Sequence, residues 1–483
     1  MSRRPERVDD LLVSANFIRA VRESGYLSIS TALAELVDNS LQACATAVAI
    51  TISRITSDAL PQIVVEDNGV GMSKVELELC LRFGGSTRFD ARKSFGRFGM
   101  GLPAASLSQA RRVEVTAWQN HKSEQSVTLD VDAIVAGSDP AIGAHRGAFS
   151  TSDSGCRVRW MECDRIEYRR LAWLERSLHR DLGRMYRRFL TAGFNMTING
   201  SPVEAVDPML LTTKLEGAAA SLAFDQLEYE LETSGGDSSV VTVRFAMLPV
   251  QRWQHLDNVT KRRVGIVGGG GVSILRAGRE IASGWHLMGS KRKENYDDWW
   301  RCEIEFDPIL DEHFGITINK QGIRPSRALR HAIEPELESI ARLLNAKVRQ
   351  AFEDLKFQSA AEASCRIATA VDPDLPIIPS RARGGAIQYR ISSDVLPMEV
   401  MFRSTLAQRT LSLTLNTDHP AFSALYQPLQ SIDSEAAAEL RTSIELLLLS
   451  FARTAVQMER AGHRLDDLLH AWGSTYGRML QKS

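Results

Sequence analysis

Residues 32–43 read ALAELVDNSLQA, and this stretch decides the fold of the first part of the chain. Apolar residues recur at helical spacing from Leu27 to Ala45, with no proline or glycine between them, which predicts a helix. Glu35 and Asn39 are four positions apart, so both side chains point to the same side of that helix. A carboxylate beside an amide oxygen is suited to hold one water molecule and one Mg2+ ion.

A second segment, residues 64–72, reads VVEDNGVGM. Residues Gln62–Glu66 are rich in β-branched side chains and predict a short buried strand that stops at a turn. Asp67 follows this strand, where its carboxylate can accept a hydrogen bond from an exocyclic amine. Gly69 and Gly71 let a planar ring approach the backbone closely.

A third segment, residues 95–102, reads FGRFGMGL and leads into a helix rich in small residues. Glycine amides at the N-terminus of a helix form a cradle for phosphate groups. Each of the three motifs is a weak signal alone, whereas their order and spacing are typical of one nucleotide-binding fold. No GxxxxGK[ST] sequence is present, which excludes a P-loop protein.

These three segments resemble the N, G1 and G2 boxes of the GHKL ATPases (gyrase, heat-shock chaperone, histidine kinase, MutL), and they are most similar to the MORC-type branch. The resemblance implies a Bergerat-type α/β sandwich that binds ATP under a mobile lid. It also implies Glu35 as the general base for the attacking water, Asn39 as the Mg2+ ligand and Asp67 as the partner of the adenine amine. The implied cofactor-binding residues are Asn39, Asp67, Gly69, Gly71, Met72, Lys93, Gly96, Arg97, Phe98, Gly99, Met100, Gly101 and Leu102.

One position departs from the family pattern. Gly155 and Cys156 stand where the family usually has Gly-Thr before a strand. The threonine normally adds a hydrogen bond near the adenine, and a thiol is a poorer donor than a hydroxyl. The departure leaves the role of Cys156 open without changing the expected fold.

Residues 194–211, 274–281 and 303–326 resemble the transducer module that follows the ATPase domain in MORC-type, gyrase and MutL proteins. In that module a loop lysine reaches the γ-phosphate, which by position implies Lys320 as a second catalytic residue. A cation at the transferred phosphate is chemically reasonable, although most lysines lie on the surface.

The expected fold class is α+β, in three parts. We expect an ATP-binding domain over residues 1–165, a transducer-like α/β domain over 166–355, and a small C-terminal α/β region over 366–483 whose role in dimerisation is open. A long helix is predicted from Tyr168 to Ala192. Residues 366–395 are rich in proline and glycine and predict a linker or loose loop.

The whole chain has 483 residues, with 58 lysines and arginines against 59 aspartates and glutamates, so its net charge of -1 excludes a globally basic nucleic-acid coat. Six cysteines at scattered spacings argue against a disulfide scaffold. No apolar segment follows the charged start, and no stretch is apolar enough to cross a bilayer. We therefore expect a cytoplasmic protein with no membrane partner.

Together these features predict a Mg2+-dependent ATPase that closes as a homodimer on ATP binding. By resemblance, the partner is duplex DNA, with a nuclease or helicase protein in a bacterial antiviral defence or DNA-transaction system. Basic clusters within 169–188, 261–263 and 291–293 would face the DNA, or else lie on ordinary solvated surfaces. A chaperone-like ATPase acting on protein clients and a non-hydrolysing ATP-sensing scaffold stay open as alternatives.

Overall fold

The computed structural model describes residues 14–26, 28–56, 58–85, 99–136, 144–149, 153–166, 168, 170–233, 235–316, 322–378, 387–398, 400–431, 435–462, 467–468 and 471. The chain divides into two compact units, Met1–Leu344 and Asn345–Ser483. The described residues have a mixed α/β fold in which each of three sheets contains both parallel and antiparallel pairs. The predicted division into 1–165, 166–355 and 366–483 stays a prediction.

In the first unit, eight of the described strands form one sheet in the order β5-β4-β3-β6-β2-β1-β7-β8. Only the β1–β7 pair among these neighbours is parallel. The strands are β1 Ala47–Ser53, β2 Gln62–Asp67, β3 Arg112–Trp118, β4 Ser123–Asp130, β5 His145–Phe149, β6 Gly155–Met161, β7 Asn195–Ile198 and β8 Ser201–Pro202.

Helices pack against this sheet and close its core. They are α1 Ser14–Ser24, α2 Ile29–Gln42, α3 Lys74–Cys80, α4 Gly101–Gln109, α5 Val131–Val135, α6 Leu171–Met185 and α7 Arg187–Thr191. Strand β1 buries every second residue (Val48, Ile50 and Ile52), as a strand with one face on a core does. These side chains share one apolar core with the buried face of α2, including Leu33 and Val37.

The first unit also contains a second sheet of six described strands, in the order β10-β11-β14-β12-β13, with β9 paired to β11. These strands are β9 Ser221–Leu222, β10 Leu227–Glu232, β11 Ser238–Met247, β12 Gly271–Arg276, β13 Arg279–Gly284 and β14 Trp300–Phe306. Helix α11 Arg327–Ala360 contributes Leu329, Ile333 and Leu337 to its core at four-residue spacing. The short helices nearby are α8 Val250–Trp253, α9 Asn258–Val264 and α10 Asp311–Phe314, with 3-10 turns at Asn295–Trp299 and Pro308–Leu310.

The second unit is built on a three-stranded sheet of β15 Gln388–Asp394, β17 Thr410–Asn416 and β16 Phe402–Ala407, in that order. Its helices are α12 Glu362–Val371, α13 Gln427–Ser431 and α14 Glu435–Ala461, with a 3-10 turn at Asp372–Asp374 and a π-helical turn at Phe422–Tyr426. Apolar side chains of the sheet, α12 and α14 form its core.

The prediction of a linker over 366–395 is wrong at both ends. Helix α12 covers its first part, and strand β15 covers its last part. The prolines between the two elements led to the prediction of a loop. Two local signals indicated regular structure instead: the apolar face of α12, and the alternation of β15, in which Tyr389 and Ile391 are buried.

Most other predicted elements are confirmed. The motif-bearing helix is α2, and the QIVVE strand is β2. The long helix predicted over Tyr168–Ala192 is instead two helices, α6 and α7, which meet at Tyr186. No helix within the described residues is long and apolar enough to cross a membrane.

Candidate active site

Helix α2 carries the first two predicted site residues. Its N-cap is Ser28, whose hydroxyl oxygen accepts a hydrogen bond from the Thr31 amide at 3.2 Å. Glu35 lies on the buried part of the helix with 4% of its surface exposed, whereas Asn39, one turn later, is half-buried. The helix therefore holds a nearly buried carboxylate one turn before a half-buried amide.

Helix α4 begins directly against the Glu35 carboxylate. A Cβ atom added to Gly101, the first residue of α4, would overlap the Glu35 Oε1 and lie 2.6 Å from its Cδ. Met100 is the N-cap and makes no side-chain capping hydrogen bond. The amide of Gly84 donates to the Gly99 carbonyl at 3.1 Å, which holds the chain just before this helix. The structure thus brings together the predicted base and the end of the third motif.

Asp67 ends β2 in a defined hydrogen-bonded position. Its Oδ2 accepts a hydrogen bond from the Ser40 hydroxyl at 2.8 Å, and its Oδ1 accepts one from the Gly69 amide at 2.9 Å. Burial raises the pKa of the Asp67 carboxyl, and the hydrogen bonds from Gly69 and Ser40 oppose that rise. Ser40 is a site residue that sequence reasoning missed, although it follows Asn39 on the same helix.

The glycines around Asp67 leave no room for side chains. Gly71 has a φ of +67°, and a Cβ there would overlap the carbonyl oxygen of Trp118. A Cβ at Gly69 would lie 2.7 Å from the Ala43 carbonyl oxygen. At Gly155 it would lie 2.6 Å from the Trp118 ring. The backbone of the second motif is therefore packed closely between the end of α2 and the C-terminal end of β3.

Cys156 pairs with Asp67 in the β2–β6 ladder. Burial and, after it, the negative charge of Asp67 raise the pKa of the Cys156 thiol well above its usual range. The thiol is therefore neutral at physiological pH and is a weak hydrogen-bond donor beside the Asp67 carboxylate. This position matches the one where the family pattern has threonine.

Four further residues in or around α2 were missed by the motif analysis. Tyr26 lies near Glu35, and its pKa is raised first by burial and then by the Glu35 charge. Asp38, fully buried between the two motif residues, contacts Tyr186 and Arg279. The sequence signal that could have identified Asp38 is a charged residue on the apolar face of a predicted helix. No comparable signal marks Tyr186 or Arg279.

The structure accounts for the other predicted site residues as follows. Met72 and Leu102 are half-buried and pack against the core of the first sheet. Gly99 has a φ of +59° and precedes the Met100 cap. Five predicted residues lie outside the described residues: Lys93, Gly96, Arg97, Phe98 and Lys320.

Part of the basic clusters is not available as a solvated surface. Arg187 is 5% exposed and pairs with Glu280 and Glu303, with N–O distances of 2.6 Å. Lys291 is 4% exposed and pairs with Asp297 at 2.8 Å. The cations that do reach solvent in these clusters include Arg262, Arg263, Arg292 and Lys293.

The chemistry of the site fits a nucleoside triphosphate with a divalent cation. Asp67 offers a carboxylate at the end of a strand, and the start of α4 has no side-chain cap to compete with a phosphate. Within the described residues, no group of three histidine, cysteine, aspartate or glutamate side chains could enclose a metal ion. A cation here would therefore need substrate oxygens in addition to Asn39.

Comparison with known proteins agrees with this chemistry. A search of the whole chain against curated proteins gave no match. Residues 27–145 match a protein-family model described as the histidine kinase-, DNA gyrase B- and HSP90-like ATPase. This match covers α2, β2 and α4, which carry Glu35, Asp67 and Gly101, so the segment is similar to the ATP-binding domains of that family.

Proposed function

We propose that this protein hydrolyses ATP with Glu35 as the general base. The observation that carries the proposal is the contact between Glu35 and the first residue of α4, inside the segment that matches the ATPase family. A carboxylate at the phosphate-binding end of a helix is placed to take a proton from the attacking water.

The adenine would bind at the end of β2. The Asp67 carboxylate accepts the hydrogen bond of the exocyclic amine, while Gly69 and Gly71 present backbone to the ring. Because Ser40 and the Gly69 amide already hold both carboxylate oxygens, Asp67 keeps one orientation and discriminates an amino group from a carbonyl.

The phosphates would bind at the start of α4, on the amide groups of Gly99, Met100 and Gly101. Asn39 would hold Mg2+, which when bound neutralises charge on the phosphate oxygens. Glu35 removes a proton from the water as its oxygen attacks the γ-phosphorus, and the bond to the ADP oxygen breaks in line with that attack. Lys320 is proposed as the additional cation at the γ-phosphate.

The larger role we propose is a MORC-like clamp, in which ATP binding closes a homodimer around duplex DNA and hydrolysis reopens it, with a nuclease or helicase as the further partner. Differential affinity of ATP for the closed state would supply the energy. The cations suited to DNA are those that reach solvent, namely Arg262, Arg263, Arg292 and Lys293. Arg187 and Lys291 are buried in ion pairs and are not suited to this role.

The test is steady-state ATP hydrolysis by the purified chain and by Glu35→Gln, with ATP binding measured separately by calorimetry. We expect the variant to bind ATP but to lose turnover by at least about 100-fold, as expected when a general base is removed. Glu66→Gln is a matched control, because Glu66 lies next to Asp67 but pairs with Arg157 on the sheet. Turnover in Glu35→Gln at the wild-type rate would refute the assignment.

The clamp is tested on the same preparation by adding duplex DNA at low and at physiological salt. Stimulation of turnover that is lost in Arg262→Glu/Arg263→Glu supports DNA as the partner. If the rate of ATP hydrolysis is unchanged by DNA but rises when an unfolded protein is added, the DNA clamp is refuted and a chaperone-like activity is supported.

A further inference from the structure

Asp38 is buried at the centre of a polar network beneath the ATP site. Its Oδ2 accepts a hydrogen bond from Arg279 Nη1 at 2.7 Å, and its Oδ1 lies 2.8 Å from the Tyr186 hydroxyl. The same hydroxyl is 2.6 Å from the carbonyl oxygen of Ala34, on the preceding turn of α2. Two side chains from outside the helix therefore hold α2 within the turn that carries Glu35.

Arg279 comes from the second sheet, where it is the first residue of β13. It is 3% exposed, and its guanidinium lies 5.9 Å from the centre of the Tyr186 ring. Burial by itself would lower the pKa of Arg279, but the charge of Asp38, with smaller contributions from Tyr186 and Glu35, raises it above the usual value. One buried cation is thus paired with Asp38 and is also influenced by the charge of Glu35.

The network continues from Arg279 into the second sheet. Its neighbour Glu280 accepts hydrogen bonds from Arg184 and Arg187, each at 2.6 Å. Arg187 also donates to Glu303 on β14 at 2.6 Å. Helices α6 and α7 are in this way attached by ion pairs to β13 and β14, while Tyr186 between them contacts Asp38.

An ion pair this deeply buried is costly to desolvate and is weak evidence for stability alone. Apolar side chains of similar volume would close the same space at a smaller cost. The charged pair adds directional hydrogen bonds. An aspartate bonded to an arginine restricts the relative position of two elements more than apolar contacts do. The positions being fixed are those of α2 and β13.

We propose that Asp38 and Arg279 are positioning residues that couple the ATP site to the second sheet. They hold α2 so that Glu35 faces the start of α4, and they make the arrangement of β13 depend on what is bound beside Glu35. This inference rests on the proposed ATPase function, because the positioned group is its general base. Neither residue is proposed to touch the nucleotide.

The first test compares Asp38→Asn, Arg279→Gln and Arg279→Lys with wild type. We expect Asp38→Asn and Arg279→Gln to lower kcat by about 10- to 100-fold, the effect of misplacing a catalytic group by about 1 Å, with little change in the KM for ATP. Arg279→Lys keeps the charge and should recover part of the loss. Arg276→Gln is the matched control, because Arg276 is also buried and lies opposite Arg279 on the paired strand, but its ion pair is with Asp311 at 2.6 Å and not with Asp38.

The second test needs no hydrolysis. Hydrogen exchange of peptides covering α2, α4 and β13 is measured with and without a non-hydrolysable ATP analogue. In the wild-type chain we expect the analogue to slow exchange in all three, and in Asp38→Asn to slow it in α2 and α4 but not in β13. Tyr186→Phe, which keeps the ion pair and the ring, serves as the milder variant if Asp38→Asn does not fold.

The outcomes separate the two proposals. No binding or turnover of ATP by the wild-type chain refutes the proposed function. Wild-type turnover with kcat unchanged in the Asp38 and Arg279 variants refutes the positioning role alone. The same holds if Arg276→Gln lowers kcat as much as Arg279→Gln, or if β13 is protected equally in the variant and in wild type.

Discussion

Replacement of Gly101 by alanine tests the geometry on which the active-site assignment depends. The added Cβ would overlap the Glu35 Oε1 and lie 2.6 Å from Cδ and 2.9 Å from Cγ, whereas carbon atoms in contact are normally separated by about 3.5–4.0 Å. The carboxylate or the first turn of α4 must therefore move by about 1 Å. A catalytic group displaced by that distance loses about 100-fold in rate.

The same change has opposing effects on stability. Overpacking at a buried position costs about 1–3 kcal/mol, while alanine is favoured over glycine in a helix by about 1 kcal/mol. We therefore expect a small net loss of stability, which is not enough to explain a 100-fold loss of turnover. Comparing kcat with the thermal midpoint separates the two effects.

The assay is steady-state hydrolysis with the melting temperature measured on the same samples. Gly147→Ala is the control, because a Cβ at Gly147 meets its nearest neighbour, the Glu124 Cβ, at an ordinary 3.5 Å. Glu35→Asp in the Gly101→Ala background shortens the overlapping side chain, so the double variant should lose less than the two single losses multiplied. Wild-type kcat in Gly101→Ala would refute the contact between α4 and the base.

Two further predictions concern the adenine end of the site and the buried ion pairs. Gly71→Ala should weaken ATP binding by at least about 10-fold in calorimetry, since alanine is strained at φ +67° and overlaps the Trp118 carbonyl; an unchanged Kd would show that this turn does not support the nucleotide. Burial would raise the pKa of Glu303, but the charge of Arg187 lowers it below the usual value of a glutamate. The ion pair therefore stabilises the folded chain above about pH 4.5. This stabilisation is lost as the pH falls through the lower pKa that Glu303 has in the folded chain. The thermal midpoint of Arg187→Met should vary less between pH 6 and pH 3.5 than that of wild type, and an identical pH dependence would contradict this role of Glu303.

Local signals were sufficient for the elements that carry the site. Periodicity predicted α2, and a run of β-branched side chains with a following turn predicted β2. They failed over residues 366–395. The prolines there indicated a loop, although the segments on either side of them form a helix and a strand. They also could not separate α6 from α7, because the interruption at Tyr186 is caused by no proline or glycine.

The identity and order of Glu35, Asn39, Asp67 and the glycines were determined by the sequence alone, because chemistry at a nucleotide needs particular side chains at particular spacings along helix, strand and turn. Only the tertiary structure decided which charges are buried and paired. Arg187 and Arg279 resemble surface cations in the sequence, yet they bond to carboxylates on elements far away in the chain. The partner of a charged side chain is set by the packing of distant elements, and no local pattern records that packing.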